Sequence, residues 1–238
     1  FVKKRNIVDN AKRHTKKQEI LNIDLKDFFT QFHFGRVRGM LMAKPYNLGK
    51  EAATTIAQIA CHNGILPQGA PTSPILTNML CVPLDNSLML FAKKHGLTYT
   101  RYADDLTFSS DKPLFGVYLK AKSMLENMGF EVNEKKTKFI SSKNRQTVTG
   151  LTVNEKVNVS SVYKRELRQE VYYVLRFDPE TAILRGGHDA YIIGEKTLNI
   201  EYLYHLLGKV NYVLSIEPNN NWFIDTKGYR TDLLLKHI

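Results

Sequence analysis

The sequence predicts an α+β fold, with short strands and helices mixed over the first part of the chain and helices over the rest. Residues 19–25 (EILNIDL) alternate between two faces as a strand does, and residues 97–102 and 106–110 repeat strand character as a hairpin. Near residues 156–160 the strand patterns give way to helical ones. We therefore predict two domains, residues 1–155 and residues 156–238.

Size and charge narrow the class of protein. The 238 residues are 43% hydrophobic, which is enough for a packed core, and no apolar run is long enough to predict a membrane span or a membrane partner. The formal net charge of +11 predicts attraction to polyanions, with nucleic acid first and a membrane surface second. Basic residues cluster in 3–17 and 135–145, although each cluster is also compatible with an ordinary solvated face.

The two cysteines, Cys61 and Cys81, lie in no metal-ligand spacing and are expected to be inert thiols in a reducing cytoplasm. The chain opens at Phe1 without a methionine, and we expect that a further N-terminal part precedes it.

After the first strand, residues 27–43 and 50–61 have apolar residues at helical spacing, with a turn around Pro45 between them. Residues 64–74 (GILPQGAPTSP) predict a loop, because three prolines and two glycines exclude a regular element. Residues 75–95 predict one long buried helix, in which Pro83 marks a kink or a boundary.

The hairpin that follows carries two adjacent acids. Ala103 and Asp104 lie at its tip and Asp105 comes next, so two like charges repel unless a positive charge is held there. A solvated acidic turn is the alternative. If this hairpin lies beside the strand that ends near Asp24, three carboxylates converge. Such oxygen ligands suit Mg²⁺ or Mn²⁺, and a pair of these ions can clamp the oxygens of a phosphoryl displacement.

Beyond the hairpin, residues 113–128 predict a helix, and strands are predicted at 130–133 and 137–141 with a basic turn between them. A further hairpin is predicted over 147–159. The helical remainder includes residues 162–177 and 201–216. Basic and aromatic residues alternate in 162–177, which suits contact with phosphates and bases, or an amphipathic helix that packs its tyrosines.

Three segments together resemble the palm signatures of reverse transcriptases, in the order of that family: NIDLKDFF (22–29), LPQGAPTSP (66–74) and YADD (102–105). Two shorter elements are similar to those of the bacterial retron branch: NAKRH (10–14) and VTGLTVN (148–154). Each of the shorter elements has a simpler alternative, an ordinary surface histidine at His14 and a hairpin turn that requires Gly150.

The resemblance implies a right-hand polymerase fold, with partial fingers, a palm built on an antiparallel sheet and a helical thumb. It implies that two Mg²⁺ ions, with Mn²⁺ possible, are bound by the side chains of Asp24, Asp104 and Asp105 and by the backbone carbonyl of Leu25. The fingers hairpin that precedes this region in the family has no match in this sequence.

The resemblance also assigns the substrate contacts. Phe29 would block a ribose 2′-hydroxyl, with core packing as its alternative role. Gln68 and Gly69 would line the nascent base pair, and Lys136 would lie near the leaving pyrophosphate, in competition with Lys135 and Lys138. Contacts with the primer, template or RNA are implied for Tyr102, Asn10, His14, Val148, Thr149 and Gly150.

The activity that the resemblance implies is RNA-directed DNA synthesis from deoxynucleoside triphosphates. The template and primer would be a dedicated structured non-coding RNA, extended from one of its 2′-hydroxyls into a DNA product, in anti-phage defence with an effector protein. The alternatives are another bacterial reverse transcriptase, of the group II intron or diversity-generating type, and a catalytically idle RNA-binding module.

Overall fold

The computed structural model describes residues 4–194 and 196–228. The chain divides into two units, Phe1–Thr149 with Val153–Lys156, and Gly150–Thr152 with Val157–Ile238. The domain division predicted between residues 155 and 156 stays a prediction.

The first unit is built around a four-stranded antiparallel sheet. Its strands are β1 (Glu19–Asp24), β2 (Thr98–Tyr102), β3 (Asp105–Ser110) and β4 (Lys138–Ser141). Their order across the sheet is β2-β3-β1-β4, so that the predicted acidic hairpin lies directly beside the first strand. The prediction of an α+β fold with an antiparallel sheet is confirmed.

Helices pack against this sheet, those between residues 34 and 127 on its apolar face. The helices of the first unit are α1 (Ile7–Lys12), α2 (Phe34–Met42), α3 (Lys50–Ala60), α4 (Ser73–Leu80), α5 (Val82–Lys94) and α6 (Phe115–Asn127). The core side of the sheet carries apolar residues such as Leu21, Ile23 and Phe108, all less than 2% exposed. Because side chains alternate along a strand, the polar residues of the same strands lie on the opposite face.

Two predicted helices are interrupted. Residues 27–43 form a 3-10 helix, Phe28–Gln31, and then α2, because His33 is extended and pairs with Ile65 between them. Residues 75–95 divide at Cys81, and Pro83 lies in the first turn of α5, where a missing N–H costs little. Among the described residues no single helix is long and apolar enough to cross a membrane, although α4 and α5, bent by 53°, meet that test as a pair.

The predicted strand at 130–133 is wrong, because only Val132 forms a bridge there, with Leu25. The hairpin predicted over 147–159 contains only two short strands, β5 (Thr147–Val148) and β6 (Leu151–Thr152), on either side of a tight turn. The chain crosses to the second unit after Thr149, returns to the first at Val153 and enters the second again at Val157.

The second unit is mainly helical, as predicted. Its further elements are α7 (Ser161–Arg176), α8 (Pro179–Gly186), β7 (Ile192–Ile193), β8 (Lys196–Thr197), α9 (Asn199–Ile216) and the helical residues 221–228. Leu167, Val171 and Leu206 are buried where α7 and α9 pack. Tyr172 and Tyr173 of α7 are exposed, which removes the alternative that both are core tyrosines.

Candidate active site

Three residues of the predicted site form one row across three strands. In the antiparallel register Tyr102 of β2 is the partner of Asp105 of β3, and Asp105 is in turn the partner of Asp24 of β1. Directly paired residues of an antiparallel sheet present their side chains on the same face. The sheet therefore brings the acids of two distant segments together where β1 ends and β3 begins, on the face opposite the core.

Backbone hydrogen bonds fix the segments that carry these acids. The Leu25 N–H donates to the Asp104 carbonyl oxygen at 3.1 Å, which joins the hairpin tip to the end of β1. The Asn133 N–H donates to the Asp24 carbonyl oxygen at 2.8 Å. Within the described part of the chain the Leu25 carbonyl oxygen accepts no hydrogen bond, so this predicted metal ligand has its lone pairs available.

The electrostatics of the row reflect crowded negative charge. Although Asp105 is partly open to solvent, desolvation by the surrounding protein and then the negative charges of Asp104 and Asp24 raise its pKa to about 6. The Lys136 ammonium acts in the opposite direction. A cation bound at this edge would relieve the same repulsion more strongly than a single exposed lysine does.

A short turn places Lys136 at the row. The Lys136 and Thr137 N–H groups both donate to the Asn133 carbonyl oxygen, and the Lys136 Nζ lies 3.5 Å from the Asp24 carboxylate. Of the three lysines that the sequence left in competition, Lys136 is the one that contacts a site carboxylate among the described residues. Its ammonium is well exposed and can therefore reach an anionic ligand.

The side chains are not arranged as a closed metal site. In residues 4–194 and 196–228, no three side chains of His, Cys, Asp or Glu surround a common point closely enough to hold an ion. The donor set nevertheless fits a hard divalent cation, because the carboxylates of Asp24, Asp104 and Asp105 lie close to the Leu25 carbonyl, which accepts no hydrogen bond from the described residues.

The predicted nucleotide contacts lie on two segments that are tied to each other. Phe29, on the 3-10 helix, is partly buried and meets Phe28 edge to face, whereas Phe28 is a core residue at 3% exposure. The loop with Gln68 and Gly69 begins where the Leu66 N–H donates to the Phe32 carbonyl oxygen at 3.0 Å. Gln68 and Gly69 are exposed. The φ of +90° at Gly69, and not crowding, makes glycine suitable there.

His14 requires a correction. It is fully buried, with its Nδ1 2.7 Å from the Ser109 Oγ and its Nε2 2.8 Å from the Thr100 Oγ1. Burial, and next the positive charges of Arg13 and Lys17, lower its pKa to about 4. The structure therefore contradicts both expectations for His14, a position on the surface and a direct contact with RNA. His14 instead attaches the end of α1 to the polar face of the β2–β3 hairpin.

The second retron-like element lies on the same face. The Asn22 Nδ2 of β1 donates to the Thr147 carbonyl oxygen at 2.9 Å, and the Thr149 Oγ1 lies 3.5 Å from the Ile7 carbonyl oxygen of α1. Val148 is buried at 1% exposure, so its side chain is not available to RNA, which corrects that expectation. Thr149 and Gly150 both have positive φ, which explains glycine at the second position of the turn.

Sequence reasoning missed a groove beside the hairpin. It has a volume of about 970 Å³ and runs along β2, the edge strand, past Thr100 and Tyr102. One wall is α1 with the segment before it, which contributes Arg5, Asn10 and Arg13. The other wall comes from α4 and α5, which contribute Asn78, Val82, Asp85 and Met89. Only the cluster of basic residues at the start of the chain could have indicated it.

An antiparallel sheet that brings carboxylates together where β1 ends and β3 begins, beside a groove lined by arginines and aspartates, fits the class of proteins that perform metal-assisted phosphoryl transfer. Residues 1–153 match the family described as reverse transcriptase (RNA-dependent DNA polymerase). The chain belongs to this family.

Among curated relatives, the retron Ec86 reverse transcriptase of Escherichia coli is 36% identical over 179 residues, covering 73% of this chain and 55% of the relative. The retron Mx65 reverse transcriptase of Myxococcus xanthus is 38% identical over 221 residues, covering 84% and 51%. The predicted resemblance to retron reverse transcriptases is thereby confirmed. The chain spans about half the length of these relatives.

A solved structure of telomerase from Candida albicans, in complex with a fragment of telomeric RNA, is also similar, with 12% identity and a TM-score of 0.48. It covers 94% of this chain and 49% of the telomerase chain.

Proposed function

We propose that this protein is an RNA-directed DNA polymerase of a retron, which copies part of a dedicated structured non-coding RNA into DNA. The observation that carries the proposal is the pairing of Asp24 with Asp105 across β1 and β3, with Tyr102 in the same row. Membership of the reverse transcriptase family and the retron relatives support the same reaction.

The three carboxylates, the Leu25 carbonyl and Lys136 each have a role in this proposal. Asp24, Asp104 and Asp105, with the Leu25 carbonyl, hold two Mg²⁺ ions, or Mn²⁺ in their place, which when bound supply charge stabilisation for the displacement. A hydroxyl oxygen loses its proton to solvent and forms a bond to the α-phosphorus of a deoxynucleoside triphosphate, and the bond from that phosphorus to the leaving pyrophosphate breaks. The exposed ammonium of Lys136 stabilises the leaving pyrophosphate.

Nucleotide selection comes from the segments that flank the row. The ring of Phe29 stands against the sugar and excludes a 2′-hydroxyl, while Gln68 and Gly69 line the base pair that is being formed. The partial exposure of Phe29 and the exposure of Gln68 and Gly69 support these roles, because these residues remain accessible to a substrate.

Recognition of the RNA is assigned to the start of the chain and the groove that it borders. Lys12, Arg13 and Lys16 are exposed and supply salt-dependent attraction to phosphates. Asn10 faces the groove and supplies selectivity for an unpaired base, whereas His14 keeps α1 in place. The retron resemblance extends the proposal to priming from an RNA 2′-hydroxyl, to anti-phage defence and to an effector protein.

Sequencing the nucleic acid that co-purifies with the protein from its native cells tests the proposal. The expected result is one structured RNA joined to DNA at a 2′-hydroxyl, with the same RNA but no DNA when Asp105→Asn is expressed instead. Intron RNA or a mutagenised repeat copy would favour the other reverse transcriptase classes. RNA without DNA from the unaltered protein, together with no primer extension in vitro, would favour the idle RNA-binding module.

A further inference from the structure

The tip of the acidic hairpin has a backbone conformation that needs support. Ala103 has φ of +53°, in the left-handed region that residues other than glycine adopt at a cost. Asp104 and Asp105, which follow directly, repel each other. A strained residue followed by two repelling carboxylates keeps one geometry only when its surroundings fix it.

One guanidinium supplies that support from the core side of the sheet. The Arg101 Nη1 donates to the Ala103 carbonyl oxygen at 2.9 Å. Its Nε and Nη2 donate to the two carboxylate oxygens of Asp85 on α5, at 2.8 and 2.6 Å. The Tyr99 hydroxyl donates to the same Asp85 carboxylate at 3.0 Å. The guanidinium thus joins the strained residue of the tip to the first turn of a core helix.

The position of Arg101 separates it from the reacting groups. Arg101 is adjacent in β2 to Tyr102, so its side chain leaves the strand on the opposite face from the carboxylate row. It is only 6% exposed, and its charge is balanced by Asp85. Arg101 can act on the reaction through the backbone that it holds, and because it also lines the groove, direct contact with nucleic acid is the alternative.

We propose that Arg101, oriented by Asp85, is a positioning residue for DNA synthesis, which fixes Asp104 and Asp105 against Asp24 through the carbonyl of Ala103. The inference rests on the proposed function for its kinetic consequence, but the arrangement of the carboxylates that it describes can be measured without catalysis. The planar fork is essential, since it reaches three acceptor oxygens at once, and a lysine ammonium at the same position cannot.

The test compares Arg101→Lys with Arg36→Lys in the full chain. Arg36 is a matched control, because it is also part-buried, donates to the carbonyl oxygens of Gln31 and Met128, and makes no contact with the carboxylate row in the described structure. Binding of Mn²⁺ to the protein is followed by electron paramagnetic resonance, and primer extension gives kcat, KM for nucleotide and the Mg²⁺ dependence.

Arg101→Lys is expected to weaken Mn²⁺ binding and to lower kcat by ~10- to 100-fold each, a loss comparable to that of an outer-shell partner of a metal ligand. KM for nucleotide and the Kd for a primer–template should stay within about twofold of the unaltered protein. Arg36→Lys should lower the melting temperature without changing Mn²⁺ binding or the Mg²⁺ dependence of primer extension.

Unchanged Mn²⁺ binding and kcat in a folded Arg101→Lys variant would overturn the proposal. A weaker Kd for primer–template with an unchanged kcat would also overturn it, since Arg101 would then contact nucleic acid from the groove. If Arg101→Lys does not fold, Asp85→Asn gives the same decision, because it keeps the side-chain shape and removes one acceptor from the fork. If the unaltered protein binds Mn²⁺ but extends no primer, the proposed function is refuted. The positioning role of Arg101 is then decided by the Mn²⁺ binding of the variants alone.

Discussion

Asp24 and Asp105 are direct partners in the antiparallel register of β1 and β3, although 80 residues separate them in the chain. This pairing places two carboxylates in one row at an open edge, and the hairpin tip adds Asp104 beside them. Hydrophobic burial does not require this arrangement, and like-charge repulsion opposes it. Such an arrangement is typical of a site selected for chemistry at the expense of stability.

Replacing Asp105 separates its contribution to DNA synthesis from its effect on the stability of the fold. Asp105→Asn should reduce DNA synthesis to background, because the neutral amide cannot replace a carboxylate ligand. The free energy of unfolding at pH 7 should stay equal or rise, since the charged form of Asp105 is the one that the folded state disfavours. Primer extension with Mg²⁺ and urea denaturation measure the two effects. Glu131→Gln, at an exposed surface ion pair, is the control. Substantial synthesis by Asp105→Asn would refute its role as a metal ligand.

Discrimination between sugars tests Phe29. Phe29→Val should increase incorporation of ribonucleotides relative to deoxyribonucleotides by ~10-fold or more, because a smaller side chain leaves space for a 2′-hydroxyl. Competition between the two nucleotides in single-turnover extension measures the ratio. Phe28→Leu is the control, since Phe28 is buried and its loss should reduce stability without altering the ratio. If Phe29→Val leaves the ratio unchanged, Phe29 is only a packing residue.

Charge removal at the start of the chain tests RNA attraction. Replacing Lys12, Arg13 and Lys16 together by alanine should weaken binding to any RNA and lower the slope of log Kd against log salt by about 2 to 3, one unit or slightly less for each lost phosphate contact. Fluorescence anisotropy at several salt concentrations measures both quantities. The triple alanine variant of Lys93, Lys94 and Lys120 loses the same charge from exposed helical positions elsewhere. Equal effects in both variants would indicate general attraction without a defined site.

Selectivity for the cognate RNA should reside in Asn10 and not in His14. Asn10→Ala should spare extension on a simple primer–template and reduce self-primed synthesis on the cognate RNA by about threefold to tenfold, the value of one hydrogen bond. His14→Ala should reduce both activities, because it detaches α1 from β2 and β3. Equal loss of both activities in Asn10→Ala, or loss of neither, would exclude a role in RNA selection.

Acid should weaken the attachment of α1 through His14. The pKa of the folded state, about 4, lies below the ordinary value of 6.5, so the unfolded chain binds the proton more readily. Stability from this group is complete above pH 6.5 and decreases as the pH falls toward 4, by about 3 kcal/mol in total. His14→Gln should be less stable at pH 7 but should lose correspondingly less on acidification. Urea denaturation between pH 7.5 and 4 measures the difference, and parallel curves for the two proteins would contradict it.

Local sequence patterns predicted the elements of the fold and of the site that depend on residues close together in the chain. The strand at 19–25 and the hairpin at 97–110 can be predicted from the two-residue period of a strand alone. The positions of Asp24, Asp104 and Asp105 at the ends of these strands follow from the same period. The burial of His14 could not be predicted, because its neighbours are basic and its partner Ser109 is 95 residues away. The contact between Arg101 and Asp85, and the groove along β2, likewise depend on the packing of separate segments. The helix predicted over 27–43 failed because tertiary pairing at His33 overrode local periodicity.

The alternation of β3 also restricts how this protein can diverge. Asp105, Thr107 and Ser109 lie on one face, and the buried Leu106 and Phe108 lie on the other. A single inserted or deleted residue within this strand would exchange the two faces, moving a carboxylate into the apolar interior and two large side chains into the hydrogen-bonded layer around Thr107 and Ser109. Changes in length between related sequences are therefore expected in connections such as residues 142–146, while β1 and β3 keep a constant length even where their residues differ.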